Sequence, residues 1–149
     1  MAFRHRFTVA APREQVVRFH RRRQSLVEIT PPPIIVQIQS GPEVLSSGDE
    51  MRFTLWLGPI PIRWRAAIED MSPSGFADRQ ISGPFAHWVH RHTFIEGSEG
   101  HTTVRDEIDY VYKRHPVWGL VGRLFVLGLP ALFPYRAWRT RKLLTKSGV

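Results

Sequence analysis

Apolar and polar residues alternate through most of the first 112 positions of this 149-residue chain, and the alternation then gives way to a long apolar run. Phe3, His5, Phe7 and Val9 face one way against Arg4, Arg6 and Thr8, which predicts a half-buried first strand. Ala11-Pro12-Arg13-Glu14 opens a helix, because proline suits the first helical position, and Val16, Val17, Phe19 and His20 give it a short apolar side. Gln24 to Ile29 reads as a second short helical piece. Thr30-Pro31-Pro32-Pro33 ends it, since a proline pushes the residue before it out of helical geometry.

Period-two patterning then returns. Ile34 to Gln39 is a strand candidate; Met51, Phe53, Leu55 and Leu57 oppose Arg52, Thr54 and Trp56, and Ile62, Trp64, Ala66 and Ile68 oppose Arg63, Arg65, Ala67 and Glu69. Turn chemistry at Gly58-Pro59-Ile60-Pro61, Ser72-Pro73-Ser74-Gly75, Ser82-Gly83-Pro84 and Gly97 to Gly100 separates these from three more strands, Phe76 to Ile81, Phe85 to Glu96, and a last one beginning at Thr102. In the last, Thr102, Val104, Ile108, Tyr110 and Tyr112 share a face. Connections this short predict an antiparallel meander.

From Val117 to Lys146 the pattern is helical. Val117, Leu120, Val121, Leu124, Phe125, Leu127, Leu129, Leu132 and Phe133 make the first part apolar nearly all round, which calls for burial on several sides. Pro130 and Pro134 predict a kink or break between a buried first half and a more exposed, basic second half. A bilayer span is the weaker reading, because Val117 to Phe133 is short for one, carries Arg123 and is interrupted by Pro130. A curved antiparallel sheet has one apolar face to cover, and only this helix is long enough to cover it. The expectation is a single α+β domain over residues 1–149.

The element order, with Phe76-x-Asp78-x-Gln80, Gly83-Pro84-Phe85, Trp88-x-His90-x-His92-x-Phe94 and Asp106-x-Ile108-x-Tyr110, resembles the START-like, helix-grip superfamily called SRPBCC, and within it the bacterial ligand-binding or polyketide cyclase/dehydrase-like members. The likeness covers essentially the whole chain. It implies a curved sheet wrapped around the C-terminal helix, two short helices after the first strand, and a cavity between sheet and helix. It also implies that Trp88, His90, His92 and Phe94 point inward, together with Phe76, Asp78 and Gln80. Periodicity alone leaves open the competing sets His87, Val89, Arg91, Thr93, Ile95 and Ala77, Arg79, Ile81. That fold hosts carriers, receptors and cyclases, so it does not by itself fix a function.

Composition narrows the classes. With no cysteine, disulfides and thiol chemistry are excluded, and Arg4, His5 and Arg6 stand where a secretory signal needs an apolar run, so the expected compartment is the cytoplasm. The formal charge of +8 sits at the ends: residues 1–23 carry net +6 and residues 136–149 net +5, which leaves −3 between them. These ends could meet an anionic membrane or an acidic partner, or simply form a solvated basic face. No helix-turn-helix or aromatic RNA-binding motif is present, so no nucleic acid is expected.

The chemistry lies in polar residues on faces that should be apolar. The inward parity of the last strand includes Asp106, a costly carboxylate unless it is paired. With the parities implied by the resemblance, Asp78, Gln80, His90, His92 and Asp106 form a band across three adjacent strands, bordered by Trp64, Trp88 and Tyr110. Three readings are open: an internal network that fixes the sheet, a ligand-orienting band at the foot of an apolar pocket, or acid–base catalysis by His90, His92 and Asp106. His90-x-His92 with a carboxylate is an open-site metal pattern, but histidines donating to aspartates explain the same residues, and no metal or cofactor is expected. There is no nucleophile elbow, phosphate loop or dinucleotide fingerprint. The reading favoured is a small or medium hydrophobic ligand, lipid or polyketide-like, with a cyclase or dehydratase as the alternative. Besides the band, its pocket is expected to be lined by Phe53, Leu55, Trp64, Ala66, Phe76, Trp88, Phe94, Val104, Tyr110, Leu120, Leu124 and Leu127.

Overall fold

Each stretch of alternating polarity becomes a strand in the computed structural model, which describes residues 1–147. The strands are β1 (Ala2–Val9), β2 (Ile34–Ser40), β3 (Glu50–Leu57), β4 (Ile60–Ser72), β5 (Gly75–Ser82), β6 (Phe85–Glu96) and β7 (Thr102–Tyr112). They form one antiparallel sheet in the order β1-β7-β6-β5-β4-β3-β2. Helices α1 (Arg13–Arg21) and α2 (Arg23–Glu28) connect the two edge strands, and α3 (Pro116–Ser147) packs on the inner face. This is the helix-grip order that the patterning predicted.

Irregularities in the ladder bend the sheet. The β4–β5 register shifts at Arg65/Ala66 and again between Glu69 and Ser72, and β6–β7 shifts between Phe85 and His87. Each extra residue adds local twist, so the inner face closes around the helix. Gly75 begins β5 with φ of 154°, and a Cβ there would lie 2.1 Å from the His92 carbonyl oxygen. Only glycine lets the two strands approach this closely.

Two apolar clusters result. One holds Phe7, Val9, Val16, Phe19, Phe76, Phe94 and Val104 beneath α1 and the end of α3; the other holds Ile62, Trp64, Phe85, Trp88, Ile108, Leu129 and Phe133. Full burial of each such side chain stabilises by about 1.5–3 kcal/mol.

The long helix departs from expectation in two ways. Pro130 and Pro134 do not break it, because both lie on its exposed side, where solvent can hydrate the carbonyls that lose a partner. Burial also departs from the expected order. In the first part Leu129 and Phe133 are buried but Leu120, Leu124 and Leu127 are 56%, 59% and 76% exposed, and in the basic second half Ala137, Thr140 and Leu144 are buried. Because α1, α2 and β1 pack against the second half, the first half is covered on one side only. Arg139 Nε donates to the Glu28 carbonyl at 3.1 Å and Arg141 Nε to the Thr8 carbonyl at 2.9 Å, so these two arginines tie α3 to the body of the domain. The apolar window of the helix has a mean hydropathy of 1.6, long and apolar enough to cross a membrane, yet one side of it forms a wall of the core.

Candidate functional site

Between the two clusters lies a cavity of about 140 Å³. Its sheet side is built from alternate residues of β3 to β6: Phe53, Leu55, Trp64, Ala66, Phe76, Asp78, Trp88, His90 and His92. These are the inward sets of the sequence reading, and of the competing set on β6 His87, Arg91 and Ile95 are exposed and Val89 and Thr93 half-buried. The aromatic walls interlock, with Trp64 edge-on to Trp88 at 5.2 Å, nearly parallel to Phe53 at 5.9 Å, and within 5.9 Å of Phe125 on α3.

Other expected lining residues lie elsewhere. Leu120, Leu124 and Leu127 face away from the cavity; helical spacing gives that wall instead to Phe125, Leu129, Leu132, Phe133 and Arg136. Phe94 and Val104 are buried in the α1-side cluster and Tyr110 beside Phe85, so all three support the walls from outside. Gln80 does not reach the space. Its amide Nε2 donates to the Phe85 carbonyl at 2.8 Å and its Oε1 accepts from the Phe85 N–H at 3.1 Å, closing the β5–β6 turn.

The polar end of the cavity is one connected cluster. Register pairs Asp78 with His90 across β5–β6 and His92 with Asp106 across β6–β7. His90 Nε2 donates to Asp106 Oδ1 at 2.8 Å, and His92 Nε2 donates to Asp78 Oδ2 at 2.9 Å. His92 Nδ1 also lies 3.2 Å from Asp106 Oδ1, and the two imidazole centroids are 3.8 Å apart. Asp106 sits behind the histidines, buried and not part of the cavity surface.

Burial and charge divide the protons between the rings. Burial alone would lower the His92 pKa, but hydrogen bonds and charges from Asp106 and Asp78 outweigh it and raise the value to about 9. Burial together with the neighbouring His92 charge lowers His90 despite its bond to Asp106. Burial works to raise both carboxylates, yet the histidines hold Asp78 and Asp106 below the ordinary carboxylate range. At neutral pH the cluster is therefore two carboxylates, one imidazolium on His92 and one neutral imidazole on His90.

Sequence reasoning missed two members of this end. His20, on the apolar side of α1, lines the cavity, and its Nδ1 donates to the Val16 carbonyl at 2.8 Å. Burial, then the charge on His92, lowers its pKa to about 4. Arg136 reaches the cavity from α3 and packs over the Phe133 ring at 5.4 Å. Burial lowers its pKa against the charges of Asp106 and Asp78. Its place one helical turn beyond Leu132 was the available signal, but its basic neighbours suggested a surface residue.

Asp78, His90 and His92 bring three potential ligand atoms within 4.8 Å of one another. A cation held there would have to displace the His92 proton and sit near the charge of Arg136, so hydrogen bonding is the chemistry these donors fit.

No family model matches the chain, and no curated protein matches it. Solved structures do. The Zhui aromatase/cyclase from a Streptomyces species superposes with a TM-score of 0.78 at 16% identity, over 100% of this chain and 96% of that one. Ara h 8.0201 gives a TM-score of 0.64 at 12% identity over 94% and 97%. A nucleoside-diphosphate sugar epimerase from Corynebacterium glutamicum gives 0.66 at 24% identity, over 96% of this chain and 29% of that protein. The chain has the helix-grip fold, and at these identities the likeness concerns the fold alone. Fold and site together define a helix-grip domain with an apolar cavity and a buried imidazole–carboxylate cluster at one end of it.

Proposed function

We propose that the chain binds a small apolar molecule between sheet and α3, with the cluster at the polar end orienting it. The observation that carries this reading is the cavity itself, apolar on most sides with polar groups converging at one end. Its volume bears on the size of the ligand. Dedicated sites for drug-sized molecules run to roughly 300–1,000 Å³, while an engineered cavity of about 150 Å³ takes benzene. A one-ring or short-chain molecule fits the present space of about 140 Å³; a multi-ring polyketide would have to extend through the opening.

Toluene, indole and hexanol, tested by thermal shift and titration calorimetry, probe the proposal directly. At least one is expected to bind and raise Tm, since a ligand that binds only the folded state stabilises it by mass action. Ala66→Leu, which places three more carbons in the cavity, is expected to weaken that binding at least tenfold while leaving the apo Tm close to wild type. Failure of all three probes to bind would count against the proposal.

Acid–base turnover of the bound molecule, as in a cyclase or dehydratase, is the second reading. It is favoured by the position of His92, a charged N–H acid on the cavity wall. Product formation in the same incubations, read by mass spectrometry, separates turnover from binding.

A further inference from the structure

We propose that the ligand presents a neutral oxygen to the guanidinium of Arg136, so that the preferred class is a compact phenol, enol or ketone. This inference rests on the cavity being the binding site, as proposed above, and adds the chemistry of the bound head group.

Every other strongly polar group on the cavity wall already has a partner. His90 and His92 hold the two carboxylates, Arg22 pairs with Glu28 at 3.1 Å, and Arg23 donates to the Gly41 carbonyl at 2.6 Å. Arg136 has no hydrogen-bond or ion-pair partner among the described residues, and its Nε is enclosed by protein without an acceptor. A guanidinium carries five N–H donors, so with Nε closed off the terminal nitrogens are left for an occupant. An incoming oxygen would give these terminal N–H groups the acceptor that the protein does not supply.

Charge decides which oxygen. Asp78 and Asp106 balance the imidazolium of His92 and the guanidinium of Arg136, so these four groups are together neutral. A carboxylate would add an uncompensated charge in a poorly solvated place, whereas a phenol, enol or ketone oxygen satisfies the donor without one. His20 extends the match: with Nδ1 bonded to Val16, its neutral ring offers Nε2 as an acceptor for a hydroxyl proton.

Phenol, toluene and benzoate share one ring size and test this by titration calorimetry and ligand-observed NMR. Phenol is expected to bind at least tenfold more tightly than toluene, and benzoate more weakly than phenol. Arg136→Met should bring phenol down to the level of toluene while toluene affinity stays within about twofold; Arg136→Lys, which keeps the charge and one donor group, should retain part of the preference. Equal affinity for phenol and toluene in the wild-type protein, or a preference that survives Arg136→Met, would overturn the inference and leave the cavity reading standing. Binding of none of the three would sink both.

From a separate observation we infer that the outer face of α3 docks on a bilayer containing anionic lipid. Val117, Leu120, Leu124, Leu127, Ala131 and Trp138 all lie on that face and are exposed, a stripe of about 30 Å at helical rise. Exposed apolar stripes of this length mark a partner. The charged residues beside this face, Arg123 and Lys142, are both basic, and no acidic side chain occurs from residue 110 onward. A second copy would bring like charges to the same seam, while a bilayer supplies both an apolar layer and anionic head groups. Arg123, packed over Tyr112 at 4.9 Å, flanks the stripe, and Trp138 with Lys142 over its ring ends it.

Co-sedimentation with phosphatidylcholine vesicles, with and without phosphatidylglycerol, is the test. Binding is expected only with phosphatidylglycerol, falling with added salt and at least tenfold on the paired change Leu124→Gln and Leu127→Gln, with Tm unchanged. No binding to the anionic vesicles, or a solution dimer abolished by the same pair of changes, would overturn it.

Discussion

Replacing Asp106 with alanine is expected to destabilise the protein by about 3–5 kcal/mol, the usual cost of removing one member of a buried charged pair. Asp106 is 5% exposed, accepts from His90 at 2.8 Å and lies 3.2 Å from His92 Nδ1. Without it, the His90 N–H is left buried with no acceptor and the His92 imidazolium loses one of its two carboxylates. In a domain of this size the loss corresponds to a fall in Tm on the order of 10 °C. Asp106→Asn keeps an acceptor for His90 and should lose less. A Tm for the alanine variant within about 2 °C of wild type would show that the cluster does not hold the sheet, whatever else it does.

The second large effect is a stability maximum near pH 6.5, because the cavity histidines are shifted in opposite directions. The folded-state pKa of His92, about 9, lies above its value of 6.5 in an unfolded chain. Its contribution is therefore complete below pH 6.5 and lost as the pH rises through about 9, a change of about 3 kcal/mol. His20, lowered to about 4, and His90, also lowered, act the other way: their contribution is complete above pH 6.5 and lost as the pH falls below it. The depressed carboxylates extend the acid limb, since their stabilisation fades once the pH drops below the ordinary carboxylate value. Urea denaturation across the range from about pH 4 to 10 would trace both limbs. His92→Gln is expected to remove the alkaline limb selectively. A profile that keeps this limb in the variant would show that His92 is not the group holding the proton.

The two expectations bear on the same question. If Asp106→Ala loses stability but the folded fraction still binds toluene, the cluster is a fixed wall of the cavity. If binding or turnover disappears while the Asn variant remains folded, the cluster acts on the ligand itself.

The chain's own pattern determined the strands, their inward parity on β3 and β4, the turns between them and the existence of one long terminal helix. Period two and proline–glycine chemistry are local, and they survive in any packing. Of the polar band, Asp106 was legible from the parity of β7, whereas Asp78, His90 and His92 were placed inward only by the resemblance, because periodicity left the parity of β5 and β6 open. Tertiary structure alone decided which side of α3 is wet. Its residues are apolar on every side, so composition carries no rotational phase; that phase is set by where α1, α2 and β1 pack and by the tie from Arg139 to Glu28. The same rotation turns Leu120, Leu124 and Leu127 outward and brings Arg136, read from sequence as part of a basic surface, into the cavity. Partner choice among polar groups was likewise decided in three dimensions, because register brings Asp106 to His92 and Asp78 to His90, while a turn takes Gln80 for itself.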